Sequence, residues 1–376
     1  MFLALAAAVP GVPVLGAETK PAACPEPWIL DETPASQSRS MDDDGDSGGL
    51  EVATYNLHSG LGLRHAFFRK RAEVEGNLRA IARSIAAGGG AGGPDVVALN
   101  EVDFGSRRSS WVDEARFVAD ELEALTGSKY QVFRGETWRR NVPLFEVRFG
   151  NAALVRLPVV SAGACTFDDP SGCGVGTARE PASPLRHGVL GRLLGEPRGV
   201  VRVTVEFQGR PVDVLVTHLD AFDAHAREDQ AALLLNRFLL PGRTTVLAGD
   251  MNAVPLSLTR RRWMFSEDRT HAILATGSLA DASITLASNR GEKSLAAWAT
   301  YPADAPVWGF DWVLGSVDLS PQAVSTIGAA ASDHRGLYVH YRCLRDDGEI
   351  EASRLRHGRL CERLRTYDSS CPLAGG

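Results

Sequence analysis

The sequence predicts a mixed α/β fold in which β-sheets are packed inside helical layers. Apolar runs rich in Val and Leu alternate with segments of helical period, a pattern typical of sheets covered by helices. A short turn, QGR at 208–210, separates two apolar runs at 200–207 and 212–217, as in a β-hairpin, so part of the sheet is antiparallel. The 376 residues are enough for one large domain or two ordinary ones.

The first 49 residues lie outside this pattern. Residues 1–17 form an apolar run broken by Pro10 and Pro13, which is too short for a transmembrane helix and typical of a secretory signal peptide. The usual positive charge near its start is missing, and a buried or frayed N-terminal segment is the alternative. Residues 18–49 are rich in Pro, Ser, Asp and Gly and predict a disordered linker. We therefore expect a secreted or periplasmic protein without a transmembrane segment.

Six cysteines favour the same location: Cys24, Cys165, Cys173, Cys343, Cys361 and Cys371. None of them forms the CxxC spacing of a zinc site, and an even number suits disulfides in an exported protein. Cys165 and Cys173 bracket a short Gly-rich loop and are the expected local pair. The other four lie near the chain ends and could fasten the tails to the body, in a connectivity that the sequence leaves open.

Structured sequence begins at Leu50 and continues to residue 342. The expected helices are 72–87, 111–125 and 224–239. The expected strands are 50–55, 95–99, 130–133, 152–155, 200–207, 212–217, 244–248, 310–314 and 337–341. Residues 161–199, rich in Pro, Gly and Ser, are expected to form a loop, and residues 343–376 a Cys-containing tail with an Arg-rich surface helix.

Polar side chains of catalytic type lie at the ends of these strands. Each has an ordinary explanation when taken alone, as a turn residue, a helix cap or a buried core histidine. Ligand sites in α/β folds gather where strand ends meet loops, however, so their joint occurrence indicates one functional site. The set comprises Asn56, Glu101, Asn151, His218, Asp250, Asn252, Asp311, Asp333 and His334.

Eight motifs, seven of which contain these residues, resemble in the same order the endonuclease/exonuclease/phosphatase superfamily, the metal-dependent phosphoesterases related to pancreatic-type deoxyribonuclease. The resemblance spans residues 50–342, which we assign to one such domain, and it implies a four-layer α/β/β/α sandwich of two packed mixed β-sheets flanked by helices. The motifs are TYNLHSG (54–60), VVALNEVD (96–103), FGNAALVR (149–156), VTHLD (216–220), LAGDMNAVPLS (247–257), TYPADAP (300–306), FDWVL (310–314) and SDHRGLYV (332–339).

The resemblance implies a Mg²⁺ site, with Mn²⁺ as a substitute. Glu101 matches the main metal ligand of the family, Asp333 a supporting ligand, and Asn56 a residue that positions the metal and the phosphate. Oxygen donors of this kind suit a hard divalent cation, which draws charge from the phosphoryl oxygens.

The resemblance also implies an acid–base site. His334 matches a histidine beside the scissile phosphate, and Asp311 would orient its ring. Asp250 is placed to orient or deprotonate the attacking water. Asn252 would donate a hydrogen bond to a phosphoryl oxygen, and His218 would be a phosphate donor or the acid for the leaving group.

Asn151 matches a family position near the substrate phosphate, with a hydrogen bond at the strand start as the alternative role. Two positions depart from the family pattern. Asn100 stands where the family usually has Gln, so the surroundings of Glu101 differ. His58 stands where the repair-endonuclease branch has an additional acidic ligand, which argues against an abasic-site endonuclease.

The expected function is therefore exported, Mg²⁺-dependent hydrolysis of phosphodiester bonds, nuclease-like in type, by a protein that is expected to be a monomer. A nucleic acid is a candidate partner, although the net charge of −6 does not favour a protein that coats nucleic acid. The alternative is a phosphoesterase for lipid headgroups or small inositol-phosphate-like molecules with the same metal site. A binding module without activity is disfavoured because the acidic and histidine side chains are all present.

Overall fold

A computed structural model describes residues 48–63, 69–90, 92–142, 145–168, 197–254, 268–275, 279–291, 296–328 and 330–365. The strands are β1 (Leu50–Asn56), β2 (Val96–Asp103), β3 (Gln131–Val142), β4 (Phe145–Val155), β5 (Val159–Thr166), β6 (Gly199–Phe207), β7 (Arg210–His218), β8 (Thr244–Asp250), β9 (Leu279–Asp281), β10 (Asp311–Ser316), β11 (Leu319–Ile327) and β12 (Gly336–Cys343). The helices are α1 (Arg71–Gly88), α2 (Glu114–Thr126), α3 (Ala224–Phe238), α4 (Thr270–Leu274), α5 (Ala282–Arg290) and α6 (Asp347–Arg365).

The strands form two six-stranded sheets. Sheet 1 has the order β11-β12-β1-β2-β4-β3, and sheet 2 has the order β5-β6-β7-β8-β10-β9. Each sheet contains one parallel pair, β1 with β2 and β7 with β8, while the other neighbouring strands are antiparallel. Both sheets are therefore mixed, as the sequence predicts.

Alternation of apolar residues along the strands produces the layers. Val52 of β1 belongs to the core between the two sheets, together with Val214 and Val246 of sheet 2. Its neighbour Ala53 faces the opposite way and packs with Leu78 of α1, because successive strand side chains point to opposite faces. A third cluster joins the outer face of sheet 2 to α3. The predicted four-layer α/β/β/α sandwich is confirmed.

The predicted helices are present with small changes at their ends. The second begins at Glu114 and not at 111, because Trp111 has a φ of 63°, outside the helical region. The side chain of Asp113 caps it by accepting from the backbone N–H of Arg116 at 3.2 Å. Gly127, at a φ of 73°, ends it in the left-handed conformation that favours glycine.

Several elements depart from the sequence predictions: β3 and β4 are longer than expected, and β5, β9, β11, α4 and α5 are not among the expected elements. The expectation of a loop over 161–199 is wrong at its start, because β5 runs to Thr166 and pairs with β6; residues 169–196 lie outside the described part. Strand β11 was not predicted, because its polar residues and Pro321 mask the apolar alternation. It is an edge strand with a bulge between Pro321 and Ala323, the kind of position where proline is tolerated.

Several predictions for the two ends of the chain stay untested. The signal peptide and almost all of the linker lie outside the described residues, as does the predicted partner of Cys165, Cys173. Cys165 is disulfide-bonded. Cys343 is a free thiol, so the expectation that it fastens a tail is wrong for this residue. Within the described part of the chain, no helix is long and apolar enough to cross a membrane.

Candidate active site

Strand register brings three of the predicted site residues to one edge of sheet 2. The parallel pairing of β7 with β8 sets His218 beside Asp250, and the antiparallel pairing of β10 sets Asp311 on the other side of Asp250. The side chains are almost fully buried, at 3%, 1% and 1% exposure respectively. Residues far apart in sequence therefore share one water-poor site because their strands end together.

His334 completes this group from the loop before β12. Its Nδ1 atom lies 2.8 Å from Oδ2 of Asp311, and its Nε2 atom lies 3.6 Å from Oδ2 of Asp250. Burial disfavours a charged ring, but the negative charges of Asp311 and Asp250 outweigh that effect and raise the pKa of His334 to about 10. At neutral pH the ring is an imidazolium held in place by Asp311.

Asp250 lies at the centre of the group. Its Oδ2 atom accepts a hydrogen bond from Nδ2 of Asn56 at 3.0 Å and lies 3.6 Å from Nε2 of His218. Its Oδ1 atom accepts from the backbone N–H of Asn252 at 2.9 Å. Burial raises the pKa of Asp250 to about 7, although the positive charge of His334 works in the opposite direction. This carboxyl group can thus exchange a proton near neutral pH, as a general base requires.

His218 has surroundings opposite to those of His334. Its Nδ1 atom lies 2.8 Å from Nη1 of Arg198, and its Nε2 atom lies 2.9 Å from the amide nitrogen of Asn252. Burial, then the positive charges of Arg198 and His334, hold the pKa of His218 well below its usual range. Two histidines thus flank one carboxylate, one of them charged and the other neutral.

Glu101 is connected to this group through Asn56. The Nδ2 atom of Asn56 donates to Oε1 of Glu101 at 3.1 Å as well as to Asp250. Glu101 has a φ of 53° and lies in a bulge where the register of β2 with β4 shifts between Leu99 and Val102. Bulges of this kind redirect side chains beside active sites, and left-handed backbone at a non-glycine residue is a strained conformation concentrated at functional positions.

Asp333 supplies a second carboxylate near Glu101. It is partly exposed, and its Oδ1 atom lies 3.3 Å from Nδ1 of His58. Burial raises the pKa of Asp333, His58 and His334 lower it, and the negative charge of Glu101 raises it further. These two carboxylates repel each other across a partly open site. A hard divalent cation prefers carboxylate oxygens as ligands, and it would relieve this repulsion. The residues present therefore fit the predicted Mg²⁺ site.

Three other side chains have ligand atoms close enough together to hold a cation. One ligand atom from each of Asp250, Asp311 and His334 lies within 4.8 Å of the others. However, the His334 ring already bonds to Asp311 through Nδ1, and all three side chains are buried. We interpret this trio as the acid–base group and the partly exposed carboxylates as the metal group.

Asn100 and Asn151 join the two sheets beneath the site. The Nδ2 atom of Asn100 donates to Oδ1 of Asn151 and to the carbonyl of Thr217, each at 2.9 Å, and its Oδ1 atom accepts from the backbone N–H of Asp250 at 2.9 Å. Asn151 donates to the carbonyl of Gly199 at 3.2 Å. The amide of Asn151 therefore makes structural hydrogen bonds, which fits its alternative role at the strand start. Contact of Asn151 with the substrate phosphate stays a prediction.

Two features near the site were not predicted from the sequence. Arg198 lies in a part of the sequence rich in Pro, Gly and Ser, and nothing in its local sequence pattern indicates that it contacts His218. Tyr301 packs against His334 with ring centroids 4.9 Å apart, and Trp308 and Phe310 extend this aromatic group. The pairing of Tyr301 with Trp308 that assembles the rings is an isolated antiparallel bridge, which periodicity does not reveal.

A two-sheet sandwich with carboxylates, amides and histidines at the strand ends defines a hydrolase of the phosphoesterase type. The profile of the Endonuclease/Exonuclease/phosphatase family matches residues 53–334, three quarters of the chain, and the chain belongs to this family. The resemblance inferred from the motifs is confirmed.

Solved structures support the same fold. A protein of this family from Beutenbergia cavernae DSM 12333 is similar with a TM-score of 0.52 and 20% identity, over 79% of this chain and 72% of that one. Another, from Leptotrichia buccalis C-1013-b, has a TM-score of 0.51 and 16% identity, over 78% of this chain and 99% of that one. A comparison with curated proteins found no match.

Proposed function

We propose that this protein is an exported, Mg²⁺-dependent phosphoesterase that hydrolyses phosphodiester bonds in the manner of a nuclease. The observation that carries the proposal is the position of Asp250, whose Oδ2 atom lies 3.6 Å from Nε2 of both His218 and His334. A buried carboxyl group with a pKa of about 7 between two imidazoles is suited to move a proton during attack by water.

The side chains divide the chemistry between them. Asp250 takes a proton from the attacking water as the water oxygen bonds to phosphorus, and the His334 imidazolium donates a hydrogen bond to a phosphoryl oxygen on which negative charge develops. The bond from phosphorus to the leaving oxygen then breaks, and that oxygen takes a proton from solvent water. Asp311 holds the His334 ring by the 2.8 Å contact at Nδ1, which leaves Nε2 for the substrate. Asn252, whose backbone N–H is fastened to Asp250, would bind another phosphoryl oxygen.

Glu101, Asp333 and Asn56 would hold the Mg²⁺, for which Mn²⁺ could substitute. The cation, when bound, neutralises charge on the phosphoryl group. Asn56 has the further task of coupling the two groups, since its single Nδ2 atom donates to both Glu101 and Asp250. The orientation of the metal ligand and that of the base are thereby linked.

The aromatic group beside His334 supports a substrate that carries bases. Tyr301, Trp308 and Phe310 are all partly exposed, and the ring pairs of Trp308 with Tyr301 and with Phe310 are stacked at interplanar angles of 20° and 12°. Aromatic faces beside a cleavage site suit nucleobases, which stack without strong sequence preference. Inositol phosphates offer no such planar group. The apolar run at 1–17 supports export.

The experiment that tests the proposal is a Mg²⁺-dependent activity screen on plasmid DNA, RNA, lipid phosphodiesters and inositol phosphates, with His334→Ala as the blank. We expect hydrolysis of a nucleic acid that requires Mg²⁺, disappears in the blank and weakens steeply as salt is raised. Selective hydrolysis of a lipid or inositol substrate with little salt dependence would favour the alternative phosphoesterase. No hydrolysis of any of the four substrate classes would contradict the proposal.

A further inference from the structure

The contact between Arg198 and His218 assigns one histidine a role that the sequence left open. We propose that Arg198 is a positioning residue that fixes His218 in the neutral tautomer with its proton on Nε2, so that His218 serves as a hydrogen-bond donor and not as an acid or a base. The consequence for catalysis rests on the proposed function; the tautomer itself does not.

The geometry of the contact determines the direction of the hydrogen bond. Nη1 of Arg198 lies 2.8 Å from Nδ1 of His218. A guanidinium group stays charged and has only donors, so it cannot accept a proton from the ring. Nδ1 of His218 must therefore be the acceptor. Because a neutral imidazole carries one proton, that proton lies on Nε2.

The other groups around the ring keep it neutral. His334 adds a second positive charge, and Asp250 is the carboxylate that faces Nε2, at 3.6 Å. Asp250 already accepts a hydrogen bond from Asn56 on the same Oδ2 atom. The His218 ring is 3% exposed, so water cannot screen an N–H on Nδ1 from the guanidinium. Protonation of Nδ1 would set two donors against each other in a buried site.

A consequence follows for Asn252. Its amide nitrogen lies 2.9 Å from Nε2 of His218 and also donates to the carbonyl of Leu219 at 3.1 Å. Turning the amide by 180° would set its oxygen against the carbonyl oxygen of Leu219, so the amide N–H of Asn252 stays directed at Nε2 of His218. Since Arg198 occupies Nδ1, the Nε2–H and the amide N–H converge on one point, where a phosphoryl oxygen would accept from both. His218 and Asn252 are thus two donors for a bound phosphate.

The two histidines therefore have different tasks because of their different partners. Asp311 keeps His334 charged, while Arg198 keeps His218 neutral. Of the two roles expected from the sequence for His218, this arrangement favours the phosphate donor over the leaving-group acid.

The test is ¹⁵N NMR of the full-length protein labelled at histidine, with His218→Gln used to assign the ring signals. In the wild type we expect Nε2 protonated and Nδ1 unprotonated from pH 5 to 9. Arg198→Met should allow the ring to titrate or to populate the other tautomer, add an ionisation to the pH profile of kcat and lower kcat at pH 7 about 10-fold. Arg198→Lys keeps a charged donor and should retain the wild-type tautomer.

Arg202→Met is the matched control. Arg202 lies on β6, the strand that directly follows Arg198, and pairs with Asp213, which keeps a second partner in Arg243, so the spectrum of His218 should not change. An Nδ1–H or imidazolium form of His218 in the wild type at pH 7 would overturn the proposal, as would an unchanged ring signal in Arg198→Met. If Arg198→Met does not fold, the spectra of the wild type and Arg198→Lys decide. The NMR result is independent of activity, so a protein with the expected tautomer and no hydrolysis would refute the proposed function alone.

Discussion

Nδ1 of His334 lies 2.8 Å from Oδ2 of Asp311, in a part of the protein where both side chains are buried. The contact fixes the ring so that its Nε2 atom faces Asp250 at 3.6 Å. It also supplies the negative charge that keeps the ring protonated at neutral pH, against the effect of burial. Asp311 thus sets the orientation of the His334 ring and makes the largest contribution to its charge, and one substitution removes both effects.

Asp311→Asn should lower the pKa of His334 from about 10, because the amide keeps the shape of the side chain but loses its charge. With the imidazolium no longer favoured, kcat at pH 8 should fall by about 10²- to 10⁴-fold, the range of general acid–base catalysis. Steady-state kinetics measures this. Asp304→Asn, an exposed change in the TYPADAP segment, is the control and should leave kcat unaltered.

The same contact makes stability depend on pH. The pKa of His334 is raised to about 10 in the folded protein from its usual 6.5, so the imidazolium stabilises the fold fully below pH 6.5. That contribution is lost as the pH rises from 6.5 to 10. Urea unfolding at pH 6, 8 and 10 should show a decrease in the free energy of unfolding that is smaller in Asp311→Asn. An equal decrease in both proteins would show that another group is responsible.

Asp250→Asn should abolish hydrolysis while the protein still folds. The amide cannot take a proton from water, but it keeps the volume of the side chain and its hydrogen-bonding capacity. In the wild type, activity should rise with pH through an apparent pKa near 7 as Asp250 ionises. The pH profile of kcat/KM and circular dichroism of the variant check both statements. Substantial turnover by Asp250→Asn would exclude this residue as the base.

Glu101→Gln should raise the Mg²⁺ concentration that hydrolysis requires. Removing one of the two partly exposed carboxylates takes charge from the site, so the Mg²⁺ concentration for half-maximal activity should rise at least about 10-fold. EDTA should abolish wild-type activity, and added Mg²⁺ or Mn²⁺ should restore it. Glu206→Gln, an exposed change on β6, serves as the control. An unchanged Mg²⁺ requirement in Glu101→Gln would remove Glu101 from the metal site.

Asn100→Ala should destabilise the junction between the sheets. The substitution leaves the backbone N–H of Asp250 and the carbonyl of Thr217 without their buried partner, at a cost of about 3 kcal/mol. Chemical denaturation measures the loss. Asn236→Ala, on an exposed face of α3, should change stability by less than about 0.5 kcal/mol. A similar small effect at Asn100 would mean that water replaces its hydrogen bonds.

The fold class and the gathering of polar side chains at strand ends could be predicted from local sequence patterns, whereas the four-layer arrangement and the roles of the side chains were implied by the family resemblance. Apolar strands that end in Asn56, His218 or Asp250 are visible as runs, and parallel pairing brings such ends to one edge. Strand β11 was hidden because an edge strand tolerates polar residues and proline.

The partners of the site residues could not be predicted in the same way. The contact of Arg198 with His218 depends on how β6 pairs with β7, and the backbone of Glu101 depends on a bulge formed against β4. Both are long-range features of register, which leave no periodic signal in the chain. The sequence around His218 and His334 therefore does not reveal that one ring is neutral and the other is charged.

The most direct measurement of the central claim is the rate of phosphodiester cleavage by the wild type, His334→Ala and Asp250→Ala, prepared identically and assayed with Mg²⁺. We predict Mg²⁺-dependent cleavage by the wild type and a loss of about 10²-fold or more in each variant, with unchanged circular dichroism. Near-normal turnover in both variants would contradict the account, because the buried carboxylate and its charged histidine would then take no part in the reaction.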